Sequence, residues 1–141
     1  MDLEALRNFL RSRFPQVAGD YLPEEHEGRL VLRLRVGAHH LRPGGTVSGP
    51  ALFGLADVAF YLALLARIGP QALAVTTSGQ IDFMRKPGPG RDVLARPEIL
   101  KLGRRLAVGE VRLYSEGLPD PVARAALTYA IPPDPGGKAG A

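Results

Sequence analysis

One run of sequence constrains this chain more than any other. From Ala51 to Ala66 every residue is apolar or glycine except Asp57. Ser48-Gly49-Pro50 precedes the run and Gly69-Pro70 closes it after Ile68. A small polar cap, a proline in the first turn and a glycine past the end are start and stop signals for a helix. The spacing therefore predicts a helix over residues 50–68 that is apolar on nearly every side. Such a helix is expected to be buried all round. Broken by Asp57, the run is shorter than the ~18 residues or more expected of a membrane span, so the sequence places it in a protein core.

The remaining segments say what would cover it. Residues 74–83 read as a strand, and Arg85-Lys86-Pro87-Gly88-Pro89-Gly90 breaks it. Strands over 92–102 and 104–115 follow, joined at Gly103, then a turn over Gly117 to Pro121 and a last strand over 122–131. Leu106, Val108, Val111 and Leu113 make the third of these apolar, with a change of face near Gly109. Upstream, Leu30, Leu32, Leu34 and Val36 alternate with Val31, Arg33 and Arg35, the pattern of a half-buried strand. Residues 16–22 are its expected hairpin partner, with Glu24 to Gly28 as the turn. Leu3, Leu6, Phe9 and Leu10 form the apolar face of a helix over residues 1–14, ended by Pro15. His39 to Gly49 reads as a loop. The 141 residues fit a single α+β domain over residues 1–131 with a flexible Gly/Pro tail over 132–141 and no internal repeat. An antiparallel sheet curled around the long helix covers it on every face. The rival, a helix lying on an open sheet, would leave part of the helix wet unless a second subunit covered it.

Composition removes several classes of function. With no cysteine there is neither a disulfide scaffold nor a thiolate metal site. His26, His39 and His40 are too few and too loosely spaced to suggest a metal centre. A net charge of +4 permits an anionic partner without naming one. No basic run with interleaved aromatics, helix-turn-helix pattern or zinc finger points to nucleic acid. The first fourteen residues lack the build of a signal peptide, and Asp2 and Glu4 argue against a transit peptide, so a cytoplasmic protein is expected.

Two features carry chemistry. Asp57 and Arg67 are the only charged residues between Arg42 and Asp82. A buried unpaired carboxylate costs roughly several kcal/mol, so the site has a use for it. One use is a structural hydrogen bond, for example across a subunit boundary. The other is catalysis, with the carboxylate as a base held away from bulk water. Tyr61 lies one turn on, on the same face. The second feature is Ser48-Gly49-Pro50: a helix N-terminus offers free N–H groups, and Gly49 lets a ligand approach the backbone. Such an amide can hold the oxyanion formed when a thioester carbonyl is attacked. Plain helix capping is the competing reading.

The stretch Ser48-Gly49-Pro50-Ala51-Leu52-Phe53-Gly54-Leu55-Ala56-Asp57 resembles the signature of the hotdog-fold acyl-CoA thioesterases of the phenylacetate-degradation type. Gln80-Ile81-Asp82-Phe83-Met84-Arg85-Lys86-Pro87 and Leu102-Gly103-Arg104-Arg105-Leu106-Ala107-Val108 resemble two further motifs of that family, in its order and spacing, so the likeness runs from about Leu30 to Ile131. The resemblance implies a sheet wrapped around a central helix, a homodimer or homotetramer, and active sites at the dimer interface. It implies Asp57 as general base or nucleophile, Gly49 N–H as the group polarising the carbonyl, and Thr76 or Thr77 near the attacking water. Ser48, Arg42, Phe53 and Tyr61 fall where substrate is met, and Arg85, Lys86, Arg104 and Arg105 where the coenzyme A nucleotide is met. No metal or other cofactor is implied. Three positions depart from the family: its histidine is Ser48, its second glycine is Pro50, and an upstream asparagine is Arg42. The expected activity is hydrolysis of an acyl-CoA. The alternatives are a hotdog protein that binds an acyl-CoA without turnover, and a purely structural oligomer in which Asp57 only makes a hydrogen bond.

Overall fold

The computed structural model describes residues 1–71 and 73–133. Most of the tail expected over residues 132–141 lies outside the described residues. The chain runs α1 (Leu3–Arg13), α2 (Pro15–Ala18), β1 (Tyr21–His26), β2 (Arg29–Leu34), a 3-10 turn at Ala38–His40, α3 (Gly49–Ile68), β3 (Val75–Phe83), β4 (Val93–Leu102), β5 (Leu106–Ser115) and β6 (Pro121–Ala130). The six strands form one antiparallel sheet in the order β1-β2-β4-β5-β6-β3. This sheet and its long helix are the α+β hotdog architecture expected from the sequence.

The central helix forms for the reasons its flanks suggest. Ser48 Oγ accepts the Ala51 N–H at 3.2 Å, and Gly69 ends the helix at φ 89°, a conformation that favours glycine. Leu55, Phe60, Leu62, Leu64 and Leu65 are fully buried against the sheet. Each such side chain contributes about 1.5–3 kcal/mol when removed from water. The helix starts one residue before the expected 50–68; at 20 residues it is long and apolar enough to cross a membrane, yet it lies in the protein core. The burial all round that the sequence led us to expect is not complete. Pro50, Phe53, Gly54 and Asp57 form a stripe that the chain's own sheet covers only in part.

The N-terminal part differs from expectation in two places. Pro15 does end α1, but its fixed φ suits a first helical position, so it also opens the short α2. The hairpin partner of β2 is therefore Tyr21–His26, not residues 16–22. The turn shrinks to Glu27 and Gly28, both at positive φ (53° and 78°), as a two-residue hairpin requires. Glu24, expected in the turn, is in the strand opposite Val31 and reaches diagonally to Arg33, with Arg33 Nε 2.6 Å from Glu24 Oε2. Arg33 also reaches Asp92 and Glu116. Burial pushes the Glu24 carboxyl up, but the bonds from Arg33 and His26 outweigh it and hold it below its ordinary value.

No change of face occurs at Gly109. Ala107, Gly109, Val111 and Leu113 all point inward, and Leu106 and Val108 are exposed. The large residue missing from the inward row is supplied by α3. A Cβ at Gly109 would lie 2.4 Å from the Phe60 ring and 2.2 Å from the Glu98 carbonyl oxygen.

Candidate functional site

Asp57 sits on the half-open stripe of α3 and lines a cleft of about 610 Å³ with Arg13, Phe14, Gln16, Tyr61, Val75, Thr76 and Tyr129. Its carboxylate is held by two hydroxyls. Thr76 Oγ1 donates to Asp57 Oδ1 at 2.5 Å, and the Tyr129 phenol is shared between that oxygen at 2.8 Å and the Asp57 carbonyl at 3.0 Å. Both side-chain bonds fall on Oδ1. A bulge between Thr76 and Ser78 separates the two threonines. Thr76 turns in to Asp57, whereas Thr77 is exposed and donates to the Thr128 carbonyl at 3.3 Å. Thr76, not Thr77, is thus the hydroxyl beside the carboxylate.

Tyr129 is the residue that sequence reasoning missed. The signal was available: β6 alternates, and Ala123, Ala125, Leu127 and Tyr129 are buried, so a polar-tipped aromatic stands on the inward face. Burial first, and then the charge of Asp57, hold the Tyr129 phenol far above its ordinary range, so it remains a donor at any ordinary pH. Tyr21, whose hydroxyl lies beside Gly54, is pushed up to about 12 by burial and by Asp20 and Asp57. Tyr61 stacks on Tyr129 with ring centroids 6.1 Å apart and meets Phe9 and Phe14 edge-on. The N-terminal helices, read from sequence only as an amphipathic face, thereby supply one wall of this cleft.

A folded-state phenol pKa raised above its unfolded value of about 10 contributes stability that is complete below that pH and is lost as pH rises beyond it. Tm is therefore expected to fall above about pH 10, and Tyr129→Phe to flatten that fall. Melting curves at neutral and alkaline pH check this, and an unchanged alkaline slope would contradict it.

Gly49 lies elsewhere. It lines a second cleft of about 460 Å³ with Arg42, Leu52, Phe83, Arg85 and Lys86. The eight residues from Gly49 to Asp57 span about 12 Å of helix, so one chain does not bring the two together. Ser48 caps the helix, and Phe53 packs over Gly79 of β3, where a Cβ would lie 2.7 Å from its ring. Arg85 donates to the Pro121 carbonyl at 2.8 Å. Arg104 and Arg105 are exposed on the turn between β4 and β5 and line neither cleft. The register puts the two basic turns at opposite ends of the sheet. Leu106, Ala130 and Val75 are neighbours at one end, and Leu113, Ala123 and Phe83 at the other.

His39 and His40 begin the stretch that the sequence reads as a loop. His39 is exposed, but His40 is buried, only 6% accessible, because Asp20 folds beside both rings and gives them polar company.

Comparison with known proteins agrees with this architecture. The sequence model of the thioesterase superfamily matches residues 44–121. A protein of Silicibacter sp. TM1040, provisionally named a thioesterase, has a crystal structure with 51% identity and a TM-score of 0.86, matched over 94% of this chain and 93% of that one. The phenylacetic acid degradation protein PaaI of Thermus thermophilus is 36% identical with a TM-score of 0.68, over 82% of this chain and 97% of that one. A Pseudomonas aeruginosa protein, provisionally named an esterase, is 33% identical over 93 residues, 65% of this chain and 69% of that protein. A sheet wound on a helix, a carboxylate held on that helix, and a family match spanning both together place the chain in the thioesterase superfamily, as a hotdog-fold thioesterase of the PaaI-like type.

Proposed function

We propose that this protein hydrolyses an acyl-CoA thioester in a site shared between two copies of the chain. The observation that carries the proposal is the Asp57 carboxylate: it is set on an apolar helix, fixed by Thr76 and Tyr129, and lines a cleft open to solvent. The separation of Asp57 from Gly49 supports the shared site. Strand β3 is one of the two edges of the sheet, and its Val75 and Phe83 are more than half exposed. An open apolar edge is suited to pairing with another strand. Antiparallel pairing of two β3 strands would set the Phe83 end of one copy, with its Gly49, Arg85 and Lys86, beside the Thr76 end of the other, with its Asp57.

In such a site the Gly49 N–H donates a hydrogen bond to the thioester carbonyl oxygen as it becomes an oxyanion, and the α3 N-terminus adds its dipole. Pro50 has no N–H, which makes Gly49 the donor nearest the helix start. Water on Asp57 attacks the carbonyl carbon while the carboxylate takes its proton. The tetrahedral intermediate then expels the thiolate, which receives that proton, leaving free acid and coenzyme A. Arg85 and Lys86 of one copy, with Arg42 near them, supply positive charge for the coenzyme A phosphates, and Arg104 and Arg105 approach from the Thr76 end of the other. Tyr61, Phe14 and Phe53 offer apolar surface to the acyl group.

Release of free thiol from a set of aromatic and aliphatic acyl-CoAs tests the proposal. Turnover of at least one of them is expected. Ligand-induced thermal stabilisation with no thiol released from any would replace it with the binding-protein reading.

A further inference from the structure

Asp20, His39 and His40 lie outside both clefts, and the fold draws them together. His39 Nε2 is 3.0 Å from Asp20 Oδ1, His40 Nε2 is 3.5 Å from Asp20 Oδ2, and the two rings stand 3.9 Å apart. Their nitrogen and oxygen atoms all fall within 4.8 Å of one another, a spacing a divalent metal ion could use. The hydrogen bonds do not fit one. Gly37 N–H donates to His40 Nδ1 at 2.8 Å, so Nδ1 is the lone-pair nitrogen and the neutral ring carries its hydrogen on Nε2. A metal on Nε2 would move that hydrogen to Nδ1, where it would point at the Gly37 N–H. Metal-binding histidines do the opposite and donate from their second nitrogen to an acceptor. Nε2 is fully buried and without a hydrogen-bond partner among the described residues, and it faces the Asp20 carboxylate.

The main chain of His40 shows what the arrangement holds. Its carbonyl accepts the Ser48 N–H at 2.8 Å, and its own N–H donates to the Gly37 carbonyl at 2.9 Å. Ser48 is the cap of α3 and the residue before Gly49. The loop between is closed on itself by the Leu41–Val47 bridge and by Arg42 N–H to the Thr46 carbonyl at 2.9 Å. The loop is therefore held to the body of the protein through His40 at one end and through Val47, which is buried in the core, at the other. Asp20, on the other side, is tied to the residue after β2, Arg35, whose N–H donates to its carbonyl at 2.8 Å, and follows four residues after Gln16 of the Asp57 cleft.

We infer that His40, held by the Gly37 N–H and facing Asp20, is a positioning residue that sets the angle at which the Gly49 N–H meets the thioester carbonyl. This rests on the reading of Gly49 as the oxyanion donor. The side chain touches no substrate, and its effect passes through its own carbonyl to Ser48 and the start of α3. A donor shifted in this way weakens the transition state more than the ground state, so the loss appears in kcat.

The test compares His40→Ala with His40→Asn, below the Tm of both. Loss of this hold in His40→Ala is expected to lower kcat about tenfold with KM changed by less than about twofold, and to speed Ser48 amide exchange by at least about tenfold relative to the strands. Asn places its Oδ1 where Nδ1 stands and can accept the Gly37 N–H, so His40→Asn is expected to recover kcat to within about threefold of the parent. A His40→Ala enzyme within about twofold of the parent in kcat, or a His40→Asn enzyme as slow as His40→Ala, would overturn the inference. So would a rise in Tm on adding zinc that His40→Ala abolishes, which would make the cluster a metal site. Should the parent hydrolyse no thioester at all, the functional proposal falls instead, and unchanged or faster Ser48 exchange in His40→Ala still decides whether His40 holds the loop.

Discussion

Asp57→Asn is expected to lower kcat by at least about a hundredfold, the usual range for loss of a general base, with KM within a few-fold of the parent. The amide is nearly isosteric, and its Oδ1 can still accept from Thr76 and Tyr129, so the variant should fold and bind. What it loses is the capacity to take a proton from water. The same loss follows if the carboxylate attacks the thioester directly, so the result tests the residue and not the choice between base and nucleophile. A steady-state assay of thiol release, with substrate binding measured separately, checks it. Activity within about threefold of the parent would mean that Asp57 is a structural acceptor for two hydroxyls and nothing more.

The largest effect on stability is expected at Gly109. A methyl group there would stand 2.2 Å from the Glu98 carbonyl oxygen and 2.4 Å from Phe60. Both neighbours are fixed: the carbonyl belongs to the β4–β5 ladder, and the fully buried Phe60 fills the space that Gly109 leaves. Either the strands part or the ring leaves its place, and overpacking of this kind costs about 3 kcal/mol. For a chain of this size Gly109→Ala should lower Tm by roughly 10 °C. Gly19→Ala is the control, because nothing lies within 4 Å of its added methyl and its φ of −72° suits any residue. It should leave Tm unchanged or raise it slightly. Equal melting of Gly109→Ala and the parent would contradict the packing described for β5.

How far these features were legible in the sequence follows from their range. Asp57 could be found from sequence because a lone charge in an apolar run conflicts with its surroundings. The strands could be found because alternation is a local property. Pro15 misled because the same residue that stops one helix can begin another, and the choice depends on what α2 packs against. Gly109 misled because its missing side chain is replaced by Phe60, forty-nine residues earlier in the chain. Tyr129 and His40 were passed over for a common reason: the partner that gives each its meaning, Asp57 or Asp20, is brought to it only by the fold. The division of the candidate site between two clefts was legible in principle, since eight residues of helix separate Gly49 from Asp57. It becomes a constraint only once each is seen to line its own cleft.

That constraint permits the most direct test of the account. Asp57→Asn and Gly49→Val, whose side chain would press on Phe83, should each be nearly inactive alone. In a homodimer with shared sites, a mixed pair holds one site with both substitutions and one with neither. Unfolding and refolding the two variants together at equal concentration should therefore restore about a quarter of parental activity, since half the dimers are mixed and each has one intact site. A mixture no more active than its components would show that no site draws Asp57 from one chain and Gly49 from another, and the proposed chemistry would have to be abandoned.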